Sequence, residues 1–469
     1  MVASGIAALD STILATAIPT IVADLGGYSQ FPWLFSIYIL ASAVTVPVYS
    51  KLADMFGRKP IILIGIGIFL VGSILCAVAW DMPSLIVSRG IQGLGSGAIL
   101  PIATTMIGDI YTVAERARIQ GYVSTVWAVS SVIGPAIGGI LAQFHLWRWV
   151  FIVNIPLCLL CIWIITRSYH ETVARRQHRI DYAGLVLITL ASGLLILGML
   201  EGGSAWEWLS PISFAVFGAS IVLAVAFVLV ERRAAEPIVP LALFRKPVIS
   251  SGVILNFAIG AGLGALAPFV PVYLQTGIGA SPLEAGAALA AFTIGWPLAV
   301  IVSGRIYLAR GFRFVGVIGG IIMTLAATTL AALAQMPSLW LVAILTFFIG
   351  AGFGWTALPS LVSVQSSVDW NQRGVASGLI MFSRSIGQSF STAVFGAISL
   401  AVITAYGGDS GDPQAIISAT QAIFVGVVVI ALIVLASAFG LPGRTATQAA
   451  AHADPRGETI REPEAELGP

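Results

Sequence analysis

Two charged side chains lie within long apolar stretches, where ionised groups are rare. Asp10 lies near the middle of the first stretch, and Arg89 lies inside the fourth. A charge at the centre of a membrane helix costs about 2.5–3.5 kcal/mol on insertion scales, so such residues usually have a function. Burial favours the neutral form of a carboxylic acid, which allows proton uptake and release near neutral pH. We therefore expect Asp10 to carry a proton, and the fixed charge of Arg89 to promote its release.

Each of these residues also has a purely structural interpretation. Asp10 could be buried only to hydrogen-bond the backbone or the hydroxyls of Ser11 and Thr12, and Arg89 could extend to the membrane surface. A third charge, Arg384 in the thirteenth apolar stretch, could line a cavity or extend to the surface in the same way. The sequence favours proton coupling for Asp10 and Arg89 and leaves Arg384 open.

The chain that contains these residues has the composition of a polytopic membrane protein. Of its 469 residues, 58% are hydrophobic and only 9% are charged, and the mean hydropathy is +0.97. A soluble domain carries about 25% charged residues. Since a spanning helix needs about 20 mostly apolar residues, we predict an all-α integral membrane protein with 14 transmembrane helices, over residues 2–22, 32–50, 61–80, 84–108, 120–142, 150–168, 182–200, 211–230, 250–275, 283–303, 314–334, 338–360, 375–403 and 415–440.

Residue types and spacing exclude several functional classes. None of the three Lys residues lies in a G-x-x-x-x-G-K-[ST] motif, so we expect no ATP binding. The net charge of +2 is too small for a nucleic-acid-binding surface. The four His residues are scattered over loops and the tail, and the three Cys residues lie in apolar stretches. We therefore expect no metal site, no cofactor and no enzyme activity.

The basic residues predict the orientation in the membrane. With the N-terminus in the cytoplasm, 20 of the 23 Lys and Arg residues fall in cytoplasmic links or the C-terminal tail. The opposite face holds only Arg148, so the positive-inside rule places both termini in the cytoplasm of a multi-pass cell-membrane protein. The tail over residues 441–469 changes to Ala, Pro, Glu and Arg, a composition typical of disordered segments.

A weak internal repeat predicts the domain organisation. Gly57 and Gly311 lie in similar basic links and are 254 residues apart. Arg116 and Arg373 each precede a glycine by five residues and are 257 apart. We predict a six-helix bundle over 1–168, a linker with two inserted helices over 169–249, and a second six-helix bundle over 250–440. The alternative is that both matches are ordinary cytoplasmic turns.

The fifth stretch contains small residues at helical spacing. Ser130, Gly134, Gly138 and Ala142 are four residues apart, a pattern that lets another helix approach closely. Pro135 lies among them and bends a helix, because it removes a backbone hydrogen bond. We expect this helix to help the two halves seal, although ordinary tight packing would use the same residues.

Several motifs resemble those of the major facilitator superfamily, in its 14-helix drug:proton antiporter branch. They cover nearly the whole chain except the tail, and only Ser50, in place of the usual Gly, departs from the pattern. The motifs are Lys51-Leu52-Ala53-Asp54-Met55-Phe56-Gly57-Arg58-Lys59-Pro60, Arg89-Gly90-Ile91-Gln92-Gly93, Gly134-Pro135-Ala136-Ile137-Gly138-Gly139, Leu9-Asp10-Ser11-Thr12-Ile13 and Trp147-Arg148-Trp149.

This resemblance implies a proton-driven exporter of small amphipathic, cationic compounds. Membrane lipid would surround such a protein. A related exporter of a lipid, siderophore or metabolite is the alternative. The resemblance also implies a latch at Asp54, Gly57 and Arg58, with Asp54 facing a helix that starts near Arg373, and a gating role for Gly134, Pro135, Gly138 and Gly139. Aromatic and amide side chains suit a promiscuous cavity for lipophilic cations, and the candidates within spans are Trp127, Asn154, Asn256, Trp296, Trp355, Phe382, Arg384 and Gln388.

Overall fold

A computed structural model gives the architecture of the chain. It describes residues 2–110, 126, 129–130, 133–169, 181–202, 205–234, 237–239, 241–336, 338–368, 373–407 and 412–444. Of the predicted site residues, Trp127 lies outside the described residues, and the side chains of Asp54 and Arg373 are not described.

The described residues form helices joined by short links. The helices are α1 Val2–Leu25, α2 Phe31–Phe56, α3 Arg58–Ala77, α4 Met82–Ile110, α5 Ile133–Gln143, α6 Trp149–Ser168, α7 Tyr182–Glu201, α8 Pro211–Glu231, α9 Pro247–Val272, α10 Pro282–Arg310, α11 Phe312–Ala332, α12 Leu339–Ser366, α13 Arg373–Ala405 and α14 Pro413–Ala438. Within the described part of the chain, 13 helices are long and apolar enough to cross a membrane. The remaining helix, α5, is described without a gap only over Ile133–Gln143, and it overlaps the fifth predicted span. The prediction of an all-α membrane protein is confirmed.

Local sequence explains where several helices begin. The Ser281 side chain accepts a hydrogen bond from the Glu284 backbone N–H, and Glu284 in turn accepts from the Ser281 backbone. This capping box satisfies backbone donors that a helix start leaves unpaired. Pro282 follows at the first helical position, where a missing N–H costs nothing. Asp181 and Asp412 accept backbone hydrogen bonds at the starts of α7 and α14 in the same way.

Helix contacts fall into two groups and a separate pair. In the first group α4 packs against α2 and α3, and α3 packs against α6. In the second, α9 packs against α13, α12 packs against α10 and α11, and α11 packs against α14. The pair α7 and α8 pack on each other, and α7 also contacts α2 and α13. The division into two six-helix bundles with an inserted pair stays a prediction, and we call the helices before α7 the first half and those after α8 the second half.

The two glycines of the predicted repeat have the same backbone conformation. Gly57 joins α2 to α3 at φ 107° and ψ 151°, and Gly311 joins α10 to α11 at φ 92° and ψ 159°. A positive φ favours glycine, because a side chain there is strained. Two residues further on, the Lys59 Nζ donates to the Thr166 carbonyl at 2.9 Å.

The second half repeats this contact with another basic residue. The Arg313 Nε donates to the Leu441 carbonyl at 3.0 Å, and the Arg313 backbone N–H donates to Pro442. In both halves, therefore, a basic residue after the glycine binds carbonyls at the end of the last helix of that half. The ordered chain consequently continues past the predicted tail boundary at 441, and Leu441 is buried.

The two groups of helices meet at the end that carries the α1–α2 link, residues 26–30, which we call the Gly27 end. The Ser36 hydroxyl of α2 donates to the Ser389 carbonyl of α13 at 3.1 Å, and the Ser389 hydroxyl donates back to the Ser36 carbonyl at 2.8 Å. The rings of Phe31 and Phe269 lie 5.4 Å apart. These contacts hold α2 against α9 and α13.

Candidate proton and substrate sites

Asp10 is the acceptor at the centre of a buried hydrogen-bond network. The Arg89 Nη1 donates to the Asp10 Oδ2 at 2.9 Å. The Gln92 Nε2 and the Asn154 Nδ2 both donate to the Asp10 Oδ1, at 2.9 and 2.8 Å. Asp10 and Arg89 are each 1% exposed. The ion pair between α1 and α4 is therefore sealed from both lipid and water, with α6 supplying a third donor.

Further side chains hold the partners of Asp10 in place. Arg89 also donates from Nε to the Leu34 carbonyl at 3.2 Å, and its guanidinium carbon lies 4.0 Å from the centre of the Tyr38 ring. Gln92 donates to the Ser73 hydroxyl at 2.9 Å. A buried ion pair is tolerated only when its remaining polar atoms are satisfied as well. These contacts rule out extension of Arg89 to the surface, and they link α1 to α2, α3, α4 and α6.

The network supplies the donors that an ionised carboxylate needs. The three donors to Asp10 come from an Arg and two amides, as an ionised carboxylate requires, since it can only accept. Protonation would add a donor and remove the negative charge, leaving Arg89 without its counter-ion. Because an unpaired buried charge is strongly unfavourable, a change of protonation at Asp10 would favour a different arrangement of α1 and α4.

The small residues of α5 divide between two partners. A Cβ on Gly138 would meet the Ile13 carbonyl and the Thr16 hydroxyl of α1, whereas one on Gly139 would lie 2.6 Å from the Pro282 carbonyl of α10. Three α1 hydroxyls follow the same stripe, since Thr12, Thr16 and Thr20 donate to the carbonyls of Ser130, Pro135 and Ala142. The stripe therefore packs α5 on α1, and the neighbouring Gly139 touches the second half.

Pro135 and Gly286 make a second close contact between α5 and α10. A Cβ on Gly286 would meet the carbonyl of Pro135. Gly134 faces α1, because a Cβ there would meet the hydroxyl of Thr12. Three of the residues predicted for gating thus lie at contacts with α1 or α10 that leave no room for a side-chain carbon.

The loop motif after α2 is described only in part. Gly57 supplies the turn, Arg58 is buried, and Lys59 binds the last carbonyls of α6. A basic group at a helix C-terminus is favourable, because the terminal carbonyls carry partial negative charge. The side chain of Asp54, which was predicted to face the start of α13, is not described, so the latch stays a prediction.

The predicted cavity residues fall into different surroundings. Asn154 is fully buried and belongs to the Asp10 network. Phe382 packs beside an apolar cluster that contains Ile249 and Ile380. Trp355 is half-buried, and its indole Nε1 is buried without an acceptor within the described residues. The cavity prediction thus grouped Asn154, which belongs to the Asp10 network, with residues of the second half.

The second half brings three of the predicted cavity residues together. The Arg384 Nε donates to the Asn256 Oδ1 at 3.2 Å, and its Nη2 donates to the same oxygen. The guanidinium carbon lies 5.5 Å from the centre of the Trp296 ring. Asn256 is fully buried, whereas Arg384 and Trp296 are half-buried.

Sequence reasoning did not identify Ser73 or Tyr38, which support the Asp10 network in the first half, since neither carries a charge.

The composition and motifs of the chain match known transporters. Residues 1–392 and 254–463 match the family model described as Major Facilitator Superfamily. Multidrug resistance protein 3 of Bacillus subtilis (strain 168) is 33% identical over 430 residues, which cover 88% of this chain and 84% of that protein. Multidrug transporter protein MdtP of the same organism is 32% identical over 398 residues, covering 85% of this chain and 74% of that protein.

The fold matches solved transporter structures at low sequence identity. The crystal structure of a D-xylose–proton symporter superposes with a TM-score of 0.65 at 12% identity, covering 94% of this chain and 97% of that one. At this identity the likeness establishes the fold alone. The matched proteins are transporters rather than enzymes.

Proposed function

The chain belongs to the Major Facilitator Superfamily, in its multidrug-exporter-like group, and from this premise we propose that it exports small amphipathic compounds in exchange for protons. The observation that carries the proposal is the buried Asp10–Arg89 ion pair. Its carboxylate is the proton site, and Arg89 is its counter-ion.

The proposed cycle uses α1 to connect the proton site with the contacts between halves. α1 carries Asp10 and also packs against α9 and α10 of the second half. The Gln275 Nε2 donates to the Thr16 carbonyl at 3.1 Å, which ties α1 to the segment after α9. Protonation of Asp10 releases Arg89, shifts α1 and weakens these contacts. Deprotonation restores the arrangement described above, and substrate binding favours it.

The substrates and the orientation of the cycle follow from charge. An ionisable acid in the first half suits cationic drugs, which would enter as the proton leaves. With both termini in the cytoplasm of the cell membrane, the Gly27 end faces outward, so the joined helices at that end close the outer side. A proton gradient and a membrane potential, about 2.3 kcal/mol per charge per 100 mV, drive the export, without ATP or a bound cofactor.

Transport in proteoliposomes tests the proposal. We expect Asp10→Asn to abolish the uphill movement of a cationic dye that a pH gradient drives in the wild type, because the amide cannot exchange a proton. Asp24→Asn is the matched control. It removes an acid from the same helix, at an exposed pair with Arg148, and should keep uphill transport. Undiminished pH-driven accumulation by Asp10→Asn would refute proton coupling at this residue.

A further inference from the structure

Arg384 lies deep in the membrane-spanning region, and the residues that the structure describes give it no acidic partner. At a rise of 1.5 Å per residue, it lies about 16 Å from the start of α13 at Arg373. No carboxylate of the described residues forms an ion pair with it. A charge at this depth is rare, and it normally faces a bundle interior or water-filled cavity with a partner.

The guanidinium group has donors that the described residues leave without an acceptor. An arginine has five N–H donors, and here Nε and Nη2 both point to the single Asn256 Oδ1. The Nη1 group has no hydrogen-bond acceptor within the described part of the chain, yet it is not among the nitrogens sealed from solvent. Arg384 therefore has hydrogen-bond donors, on a positively charged and half-buried side chain, that the described residues do not use.

The amide partner is held so that it cannot neutralise the charge. The Asn256 Nδ2 donates to the Gly252 carbonyl at 2.9 Å and to the Ser360 hydroxyl at 3.0 Å. These two bonds use the nitrogen and leave the amide oxygen for Arg384. The oxygen orients the guanidinium, but it carries no net charge. The site thus keeps a net positive charge in surroundings where an unpaired charge is costly.

The two halves differ at this point. Asp10 is near the ninth position of α1, and Asn256 is near the tenth position of α9. The first half therefore contains an arginine with its acid, whereas the second half contains an arginine with an amide in a similar place along the first helix of that half. Among the described residues, no carboxylate forms an ion pair with Arg384.

We propose that Arg384 binds an organic carboxylate of the transported compound, with Trp296 beside it to contact the apolar part of the same molecule. A guanidinium matches a planar carboxylate through two parallel hydrogen bonds. The centre of the Trp296 ring lies 5.5 Å from the guanidinium carbon, and aromatic faces suit flat apolar groups. The inference rests on the proposed export function and narrows the substrate class to amphipathic zwitterions, which carry a carboxylate as well as the cationic group of the proposed substrates.

The site is placed where a substrate could influence α1. Asn256 lies on α9 and Trp296 on α10, and both of these helices pack against α1. The half-buried Gln388 is one turn after Arg384 on the same face of α13, and it adds an amide to the site. A carboxylate bound here would be held by the second half, next to the helix that carries the proton site.

Binding of two dyes that differ in one group tests this inference. The probes are a fluorescent xanthene dye with a free carboxylic acid and the methyl ester of the same dye, titrated onto the purified full chain in detergent. We expect the wild type to bind the acid about 10-fold more tightly than the ester. Arg384→Gln should weaken acid binding about 10-fold and change ester binding by less than about twofold. Arg148→Gln, which alters an exposed arginine, should behave as the wild type.

The conservative variant keeps the test decisive. Arg384→Lys retains the charge but loses the planar pair of donors, so it should reduce the acid preference partially. If Arg384→Gln also fails to bind the ester, the Arg384→Lys variant decides the test. An Arg384→Lys protein that prefers the acid as strongly as the wild type overturns the inference. A wild type that binds neither dye, or binds the ester as tightly as the acid, overturns it too. The assay uses no proton gradient, so a failure of proton coupling at Asp10 would leave its result unchanged.

Discussion

Asp10 owes its position to neighbours that differ in chemistry but share one role. Arg89 neutralises the carboxylate, while Gln92 and Asn154 satisfy its second oxygen. Each of these donors is itself buried. Loss of any one leaves a buried polar atom without a partner, which costs about 1–3 kcal/mol and more for a charged group. The site is therefore sensitive to geometry as well as to charge.

Arg89→Lys should show this sensitivity. Lysine keeps the positive charge but cannot donate to both Asp10 and the Leu34 carbonyl in the fixed geometry of a guanidinium. We expect a loss of about 1.5–3 kcal/mol in unfolding free energy, the usual range for hydrogen bonds to charged groups, measured by denaturation in detergent. Arg148→Lys is the control, because its pair with Asp24 is exposed and exposed pairs contribute about 0–1 kcal/mol. Equal losses in both variants would contradict this account.

The sequence made some members of the network easy to find and others difficult. Asp10 and Arg89 are conspicuous because charges are rare in apolar stretches, and Gln92 follows Arg89 by one turn. Ser73 and Tyr38 were not predicted, because neutral polar residues occur in many membrane helices. Asn154 was predicted for the cavity. Its bond to Asp10 depends on how α6 packs near α1, and no local pattern determines that contact.

At the level of helices, α5 is the element that both halves share. Its Gly134 and Gly138 face α1 of the same half, and its Gly139 faces α10 of the other. The four-residue spacing predicted a close helix contact correctly. It could not identify the partner, because small residues permit an approach without specifying which helix makes it. Gly139, one residue away from the stripe, provides the contact between halves.

Gly138→Ala should displace α5 from α1. The added carbon would meet the Ile13 carbonyl and the Thr16 hydroxyl, and overpacking of this kind costs about 1–3 kcal/mol. Gly193→Ala in α7 is the matched control, because nothing lies within 4 Å of its added carbon, and alanine favours a helix by about 0.5–1 kcal/mol. Thermal unfolding in detergent compares the two variants. A Gly138→Ala protein as stable as Gly193→Ala would show that this contact is not tight.

Gly139→Ala should instead change the balance between conformations. Its added carbon would lie 2.6 Å from the Pro282 carbonyl of the second half, so it disfavours the arrangement in which α5 and α10 touch. Spin labels at Ser29 and Tyr406, on opposite halves of the Gly27 end, report the separation. We expect a larger population of long distances in the variant than in the wild type. Identical distance distributions would contradict a role for this contact in holding the halves together.

For the whole molecule, the repeat is visible in the geometry of both halves. Gly57 and Gly311 have matching backbone angles, and Lys59 and Arg313 bind the ends of α6 and α14 alike. The sequence indicated this repeat through short motifs, since the same turn needs the same residue types. It could not indicate that the halves meet at the Gly27 end, because that contact combines residues more than 350 positions apart, such as Ser36 and Ser389.

Labelling from one side of the membrane tests the orientation. Tyr406 and Phe56 are 50% and 53% exposed, and they lie at opposite ends of the bundle. With cytoplasmic termini, a membrane-impermeant thiol reagent added to intact cells should label Tyr406→Cys and not Phe56→Cys. The native Cys76, Cys158 and Cys161 are buried, so the unmodified chain is the background control. The reverse pattern of labelling would invert the predicted topology.

Proton release on substrate binding tests the central claim most directly. A cationic dye is added to purified protein in weakly buffered detergent solution, and a pH indicator follows the protons set free. If Asp10 carries the exchanged proton, the wild type should acidify the solution on binding, and Asp10→Asn should bind the dye without acidification. An Asp10→Asn protein that releases as many protons per bound dye as the wild type would contradict the mechanism.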